Sequence, residues 1–133
     1  LEQTMNYAIK THPEERFLGT RNKNKEGMPY EWKTYKEVHG LATDFAKGIS
    51  RLNLITRVDY KGENVMFMGI FSKNREEYAI SDIGCMISSV TIIPFYETLG
   101  PESLKFIINQ TDLETMCIEE KSVKVLSELK SSG

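Results

Sequence analysis

The chain has 133 residues, 40% of them apolar and 27% charged, the balance of one soluble globular domain with enough chain for a single core. Its 17 basic and 19 acidic side chains leave a net charge of -2, which gives neither the basic footprint of a nucleic-acid binder nor the polybasic patch of a membrane-surface protein. Cys85 and Cys117 stand too far apart for a zinc-ligand pair or a disulfide framework and, with apolar neighbours, are expected to be reduced, buried thiols of an intracellular protein.

From Leu1 onward the charged-then-apolar pattern of a secretory signal is missing. Thr4 to Lys10 predicts a short helix halted near Pro13. Phe17–Arg21 and Tyr30–Lys33 predict two short strands joined by the Asn-, Lys- and Gly-rich turn Asn22–Gly27, hence a hairpin. Lys23 and Lys25 are expected to be solvated in that turn rather than phosphate-binding, because no glycine-rich or aromatic pattern accompanies them. Thr34-Tyr35-Lys36-Glu37 is a capping box, in which the hydroxyl and the carboxylate each satisfy the other residue's free backbone N–H. Behind it Val38, Leu41, Ala42, Phe45, Ala46, Ile49 and Leu52 recur at spacings of three and four, predicting an amphipathic helix. His39 falls off that stripe and is expected at the surface. Neither it nor His12 has a second metal-type residue nearby.

The pattern changes at Gly62. Val65 to Phe71 is a continuous apolar run, as in a strand buried on both faces. Asn74-Arg75-Glu76-Glu77 can cap a helix running to about Ser88 that carries Tyr78, Ile80, Ile83 and Ile87. Val90 to Phe95 predicts a second strand, and Pro101 to Thr111 a helix with Pro101 in its first turn. Thr115–Ile118 predicts a third strand, and Val123, Leu126 and Leu129 mark a third helix. The weakly charged stretch Tyr78–Tyr96 contains Asp82 and Pro94 and is not expected to span a membrane. Asn109-Gln110-Thr111 matches a glycosylation acceptor by chance inside a helical segment.

Alternating apolar strands and helices imply an α/β fold with a parallel sheet and right-handed crossovers. The expected architecture is a βαβαβα unit over residues 62–133. A short helix, a hairpin and an amphipathic helix precede it over residues 1–61. Three parallel strands with exposed edges look like part of a larger sheet, so residues 1–133 are expected to be an incomplete portion of a larger N-terminal domain.

The chemistry-bearing motifs of such folds are missing: Gly-x-Gly-x-x-Gly, Gly-x-x-x-x-Gly-Lys-Ser/Thr and Gly-x-Ser-x-Gly. Glu76-Glu77 and Glu119-Glu120 are carboxylate pairs, but adjacent helical residues do not face one another, and Glu76-Glu77 offset a helix dipole. Gly69 and Gly84 are expected to permit close packing. Ligands of open α/β sheets gather beyond the carboxyl ends of the strands. Those ends are Ser72–Asn74, Tyr96–Thr98 and Glu119–Lys121. Among them Phe95 and Tyr96 alone offer apolar bulk suited to a fatty chain, but packing of both against a further subdomain is the expected role, with the acyl path as the alternative. The charged residues there are expected to be solvated.

Residues Gly62 to Glu120 resemble the adenylate-forming enzymes, and most of all their long-chain fatty acid–CoA ligases. Gly62-Glu63-Asn64-Val65 stands for the family's Gly-Asp-x-Val turn, with Glu in place of Asp. Asn74-Arg75-Glu76-Glu77 matches its Asn-x-x-Glu helix start. Ile93-Pro94-Phe95-Tyr96-Glu97-Thr98-Leu99-Gly100 matches its Pro-x-Tyr-Asp-Thr-Leu-Gly turn, the piece most specific to the long-chain branch. Upstream, Tyr30–Val38 matches a Trp-x-Thr-Tyr-x-Glu stretch.

The resemblance implies ATP-dependent activation of a fatty acid to an acyl-adenylate, then thioester formation with coenzyme A, with Mg2+ as cofactor. The family's phosphate loop, Tyr-Gly-x-Thr-Glu, Arg-Thr-Gly-Asp and C-terminal lysine have no counterpart in residues 1–133. No catalytic, cofactor-binding or metal residue is therefore carried over, and the segment alone is expected to be inactive and to hold no cofactor. The expected partners are the remainder of the same enzyme and its fatty acid, not nucleic acid, and any membrane association would run through regions outside the segment. The expected location is intracellular, cytoplasmic or peripheral to an organelle membrane. A fragment of another acid–thiol ligase and a non-catalytic doubly wound binding module stay open as alternatives.

Overall fold

The computed structural model describes residues 2–131; the ends of the expected domain at Leu1, Ser132 and Gly133 lie outside them. Helix α1 (Glu2–Thr11) leads into the antiparallel hairpin β1 (Arg16–Arg21) and β2 (Tyr30–Thr34). The Thr34–Glu37 capping box forms as the sequence predicts: Thr34 Oγ1 accepts from the Glu37 N–H at 3.2 Å, and the Glu37 carboxylate accepts from the Thr34 N–H at 2.8 Å. It opens α2 (Tyr35–Arg51). Val38, Ala42, Ala46 and Ile49 form its buried face. Leu41 and Leu52, expected on that stripe, are 43% and 70% exposed. Leu52 is the C-cap, past the last helical turn.

The apolar run Val65–Phe71 is not one strand. Val65 ends β4 (Glu63–Val65), which pairs antiparallel with β3 (Val58–Tyr60), and only β5 (Phe67–Phe71) enters the parallel sheet. The hairpin turn places Lys61 at φ 55° and Gly62 at φ 85°, successive left-handed residues as a tight hairpin requires. The Asp59 carboxylate accepts from the Gly62 N–H at 2.9 Å. Three-residue strands are too short to show alternation, which is why the run reads as continuous.

After β5 come α3 (Glu76–Ile87), β6 (Thr91–Phe95), α4 (Pro101–Gln110), β7 (Met116–Ile118) and α5 (Glu120–Ser131). The N-cap of α3 is Arg75, not Asn74, and no side-chain cap bond forms. Acidic Glu76 and Glu77 in the first turn supply the dipole compensation instead. Pro101 occupies the first turn of α4, where its missing N–H costs nothing.

The sheet order is β6-β5-β7, all parallel. Because β6 and β7 lie on opposite sides of β5, right-handed crossovers put α3 and α4 on opposite faces, and the core is divided accordingly. On one face Met68 packs with Cys85, Val90, Ile49 and Ile55 under α2 and α3. On the other, Phe71 and Phe95 pack with Leu104 of α4 and with Leu126 and Leu129 of α5. The result is a three-layer α/β/α sandwich.

Two glycines set its thickness. A Cβ on Gly84 would lie 2.8 Å from the Ala42 carbonyl oxygen, so α3 approaches α2 closely only without one. A Cβ on Gly69 would come within 2.9 Å of Leu113 and Met116 side chains.

Candidate functional site

Strands β5 and β7 are adjacent, but their chains leave in opposite directions, β5 into α3 on one face and β7 into α5 on the other. Such a switch point opens a crevice at the carboxyl ends. A cleft of about 240 Å³ lies there, its lining including Ile70, Ser72, Arg75, Glu77, Cys117 and Glu119, with Tyr78 and Ser81 of α3.

The rim is ionic. Glu119 Oε1 accepts from the Lys73 N–H at 2.6 Å, tying the loop after β5 to the end of β7. Lys121 bridges Glu119, at 3.4 Å, and Glu97 of the loop after β6. Arg75 holds Glu77 through two bonds of 2.6 and 2.7 Å. Glu76 accepts from Lys33 of the hairpin at 2.9 Å and from Thr20 Oγ1 at 3.0 Å. Several rim charges expected to be solvated are exposed and also paired; Lys121 links the loop after β6 to the end of β7, and Glu119 links that end to the loop after β5. Opposite charges at these strand ends were visible in the sequence. The contacts between strand ends, Lys73 N–H to Glu119 and Lys121 to Glu97, were not, since they follow from the strand order.

The hydrogen bonds from Arg75 hold the Glu77 carboxyl below its usual range. Burial acts the other way in and beside the cleft. It raises the Tyr78 phenol, aided by the nearby Asp82 charge, and it raises Asp82 itself. The Cys117 thiol is raised by burial, an effect that a Ser81 hydrogen bond partly offsets. Cys117 therefore lines the cleft as a neutral thiol and not as a nucleophile. Cys85 is fully buried behind it and is pushed up to about 12. Both thiols are free, as expected, and both touch one atom, Met68 Sδ, at 3.7 and 3.6 Å.

The two aromatics, for which an acyl path and packing against a further subdomain were both open, part company. Phe95 is 1% exposed, inside the core with Phe71 and Leu104, and is available neither to a fatty chain nor to another subdomain. Strand alternation explains this, since Phe95 points to the α4 face. Tyr96, one residue on, is 62% exposed. Among the described residues no three His, Cys, Asp or Glu side chains converge as a metal-ligand set, and no helix is long and apolar enough to cross a membrane.

Residues 6–132 match the model of a protein family described as AMP-binding enzyme. The chain is 34% identical over 112 residues to long-chain-fatty-acid–CoA ligase 1 of Homo sapiens, covering 84% of this chain and 15% of that protein. It is 32% identical over 123 residues to long chain acyl-CoA synthetase 2 of Arabidopsis thaliana, covering 91% of this chain and 17% of that one. The chain thus spans about one-sixth of the length of these curated relatives. Among solved structures, coronafacic acid ligase from Pectobacterium brasiliense superimposes with a TM-score of 0.76 at 14% identity, covering 98% of this chain and 23% of that one. That likeness shows the α/β fold.

Proposed function

Since this chain belongs to the AMP-binding enzyme family, we propose that it is the scaffold portion, at the N-terminal end, of an ATP-dependent long-chain fatty acid–CoA ligase. The observation that carries the reading is identity of 32–34% to long-chain ligases and a long-chain acyl-CoA synthetase across most of the chain. The turn Tyr96-Glu97-Thr98-Leu99-Gly100 supports the long-chain branch.

In this reading the longer protein joins a fatty acid to ATP as acyl-adenylate and then transfers the acyl group to coenzyme A. ATP, Mg2+ and coenzyme A are held by its other regions. The rim described above does not fit a triphosphate. Lys33, Arg75 and Lys121 are already committed to carboxylates, and four carboxylates stand among them. No step of the reaction is assigned to these residues. Glu119 and Lys121 instead tie the loops after β5 and β6 to the end of β7. The preorganised charge that lowers a barrier would be mounted elsewhere.

The test is an assay of the longer protein with ATP, Mg2+, coenzyme A and acids of graded length. Pyrophosphate release with thioester formation on long-chain acids is expected. Activity confined to aryl or short acids would move the protein to another branch, and none with any acid would overturn the reading. Titration of the 133-residue chain with ATP and Mg2+ is expected to give no saturable heat, and micromolar binding would refute its scaffold role.

A further inference from the structure

We propose that Met68, Cys85 and Cys117 form a three-sulfur site for a soft monovalent cation of the Cu(I) and Ag(I) class. The site is built from side chains of this chain alone and goes beyond the ligase reading.

The three residues come from three elements. Met68 lies in β5, Cys117 in β7 and Cys85 in α3, so the site exists only in the folded chain. The Cys85 thiol donates to Met68 Sδ at 3.7 Å, and the Cys117 thiol donates to the same atom at 3.6 Å. Parallel pairing sets Cys117 beside Ile70, two residues beyond Met68 and on the same face of the sheet. Helix α3 lays Cys85 over that face. The two thiols stand close enough for charge on Cys117 to disfavour charge on Cys85.

Such spacing is close to that of a metal's ligands. Metal–thiolate bonds of about 2.3 Å, arranged in a trigonal plane, hold their sulfurs about 4 Å apart. A cation therefore enters between these sulfurs with a small outward shift. The exchange balances: two S–H bonds break, two metal–thiolate bonds form, the thioether adds a lone pair, and two protons leave to solvent. Burial first, and then repulsion between the thiols, keeps Cys85 protonated without a metal. A cation at the centre offsets the first and reverses the second. The buried Ser81 hydroxyl hydrogen-bonds Cys117 and favours its thiolate, the outer contact that metal ligands usually have.

The donor set selects the metal. Among the described residues no His, Asp or Glu completes the cysteine pair as a ligand set, so the third donor is a thioether. Thiolate and thioether together favour Cu(I) over Mg2+ and, with no fourth protein donor, over Zn2+. Ile49, Ile55 and Val90 pack with Met68 and Cys85, an apolar shell suited to a cation of low charge. The path in from solvent is the switch-point cleft, which Cys117 lines.

Titration of the longer protein with Cu(I), anaerobic and reduced, in competition with a chromophoric Cu(I) chelator, tests this. Cys117→Ser is expected to weaken one equivalent at least about 100-fold, and the volume-conserving Met68→Leu about tenfold. Equal binding by wild type and Cys117→Ser would overturn the proposal. Met68→Leu binding like wild type would also overturn it, because the site would then hold no thioether. So would Zn2+ binding as tightly as Cu(I) at this site. As an independent check, Ag(I) should raise the melting temperature of wild type and not that of Cys117→Ser; equal shifts would count against the site. The metal-free melting temperature of Cys117→Ser separates a lost site from a lost fold. Neither measurement depends on catalysis, so an inactive protein that binds Cu(I) here would refute the ligase reading alone.

Discussion

Phe95 and Tyr96 are adjacent in sequence, yet one is 1% and the other 62% exposed. Removing the Phe95 ring leaves a cavity between α4 and the sheet, and Phe95→Ala is expected to destabilise by about 3–5 kcal/mol in denaturant unfolding. Tyr96→Ala should change stability by less than about 0.5 kcal/mol. If Tyr96 lines the acyl path, the same substitution in the longer enzyme shifts chain-length preference and leaves the KM for ATP unchanged. Equal loss of activity for every acyl length would remove Tyr96 from that path. The cysteines obey a different control. Burial raises both thiols, Cys85 to about 12, so rapid labelling at neutral pH is not expected, and Cys117 should react before Cys85. Because the unfolded thiol ionises near its ordinary value of about 8.5, stability from the neutral buried form is complete below that pH. It is lost as pH rises from there towards about 12. Urea midpoints measured across this range, with Cys85→Ala as reference, would show the smaller alkaline loss in the variant.

At the scale of elements, legibility followed the length of the local signal. The capping box and the spacing of Val38, Ala42, Ala46 and Ile49 defined α2 from sequence, and Thr34→Ala is expected to cost about 1 kcal/mol in thermal unfolding. A loss near zero would mean that packing against α3 holds the helix start unaided. The β3–β4 hairpin escaped because Val58–Tyr60 and Glu63–Val65 are three residues each, and apolar continuity at Val65–Phe71 masked the break at Met66. The α3 start was misplaced by one residue because Asn74 is a good cap in isolation. In the fold, the position is fixed by the tertiary bonds of Glu76 to Lys33 and Thr20. Gly69 and Gly84 were legible as close-packing sites, but the atoms they make room for were not.

For the molecule as a whole, the alternation of strands and helices announced a parallel sheet, yet neither strand order nor the ionic rim could be read from it. Both depend on which side of β5 each later strand takes, a long-range choice. The 133-residue chain alone, with its β7 edge unfilled, is expected to self-associate, and light scattering should show mass rising with concentration. A monomer at all concentrations would show that the edge is protected without a further strand.

The order β6-β5-β7 also has a consequence during synthesis. The central strand is made first, and the ribosome must add several tens of residues before β7 can close its second side. At the ~5–20 residues per second of translation this leaves Phe67–Phe71 half-paired for roughly 2–10 s. A nascent chain therefore carries its most apolar strand uncovered for far longer than a hairpin takes to form, and a holding chaperone would find its target there.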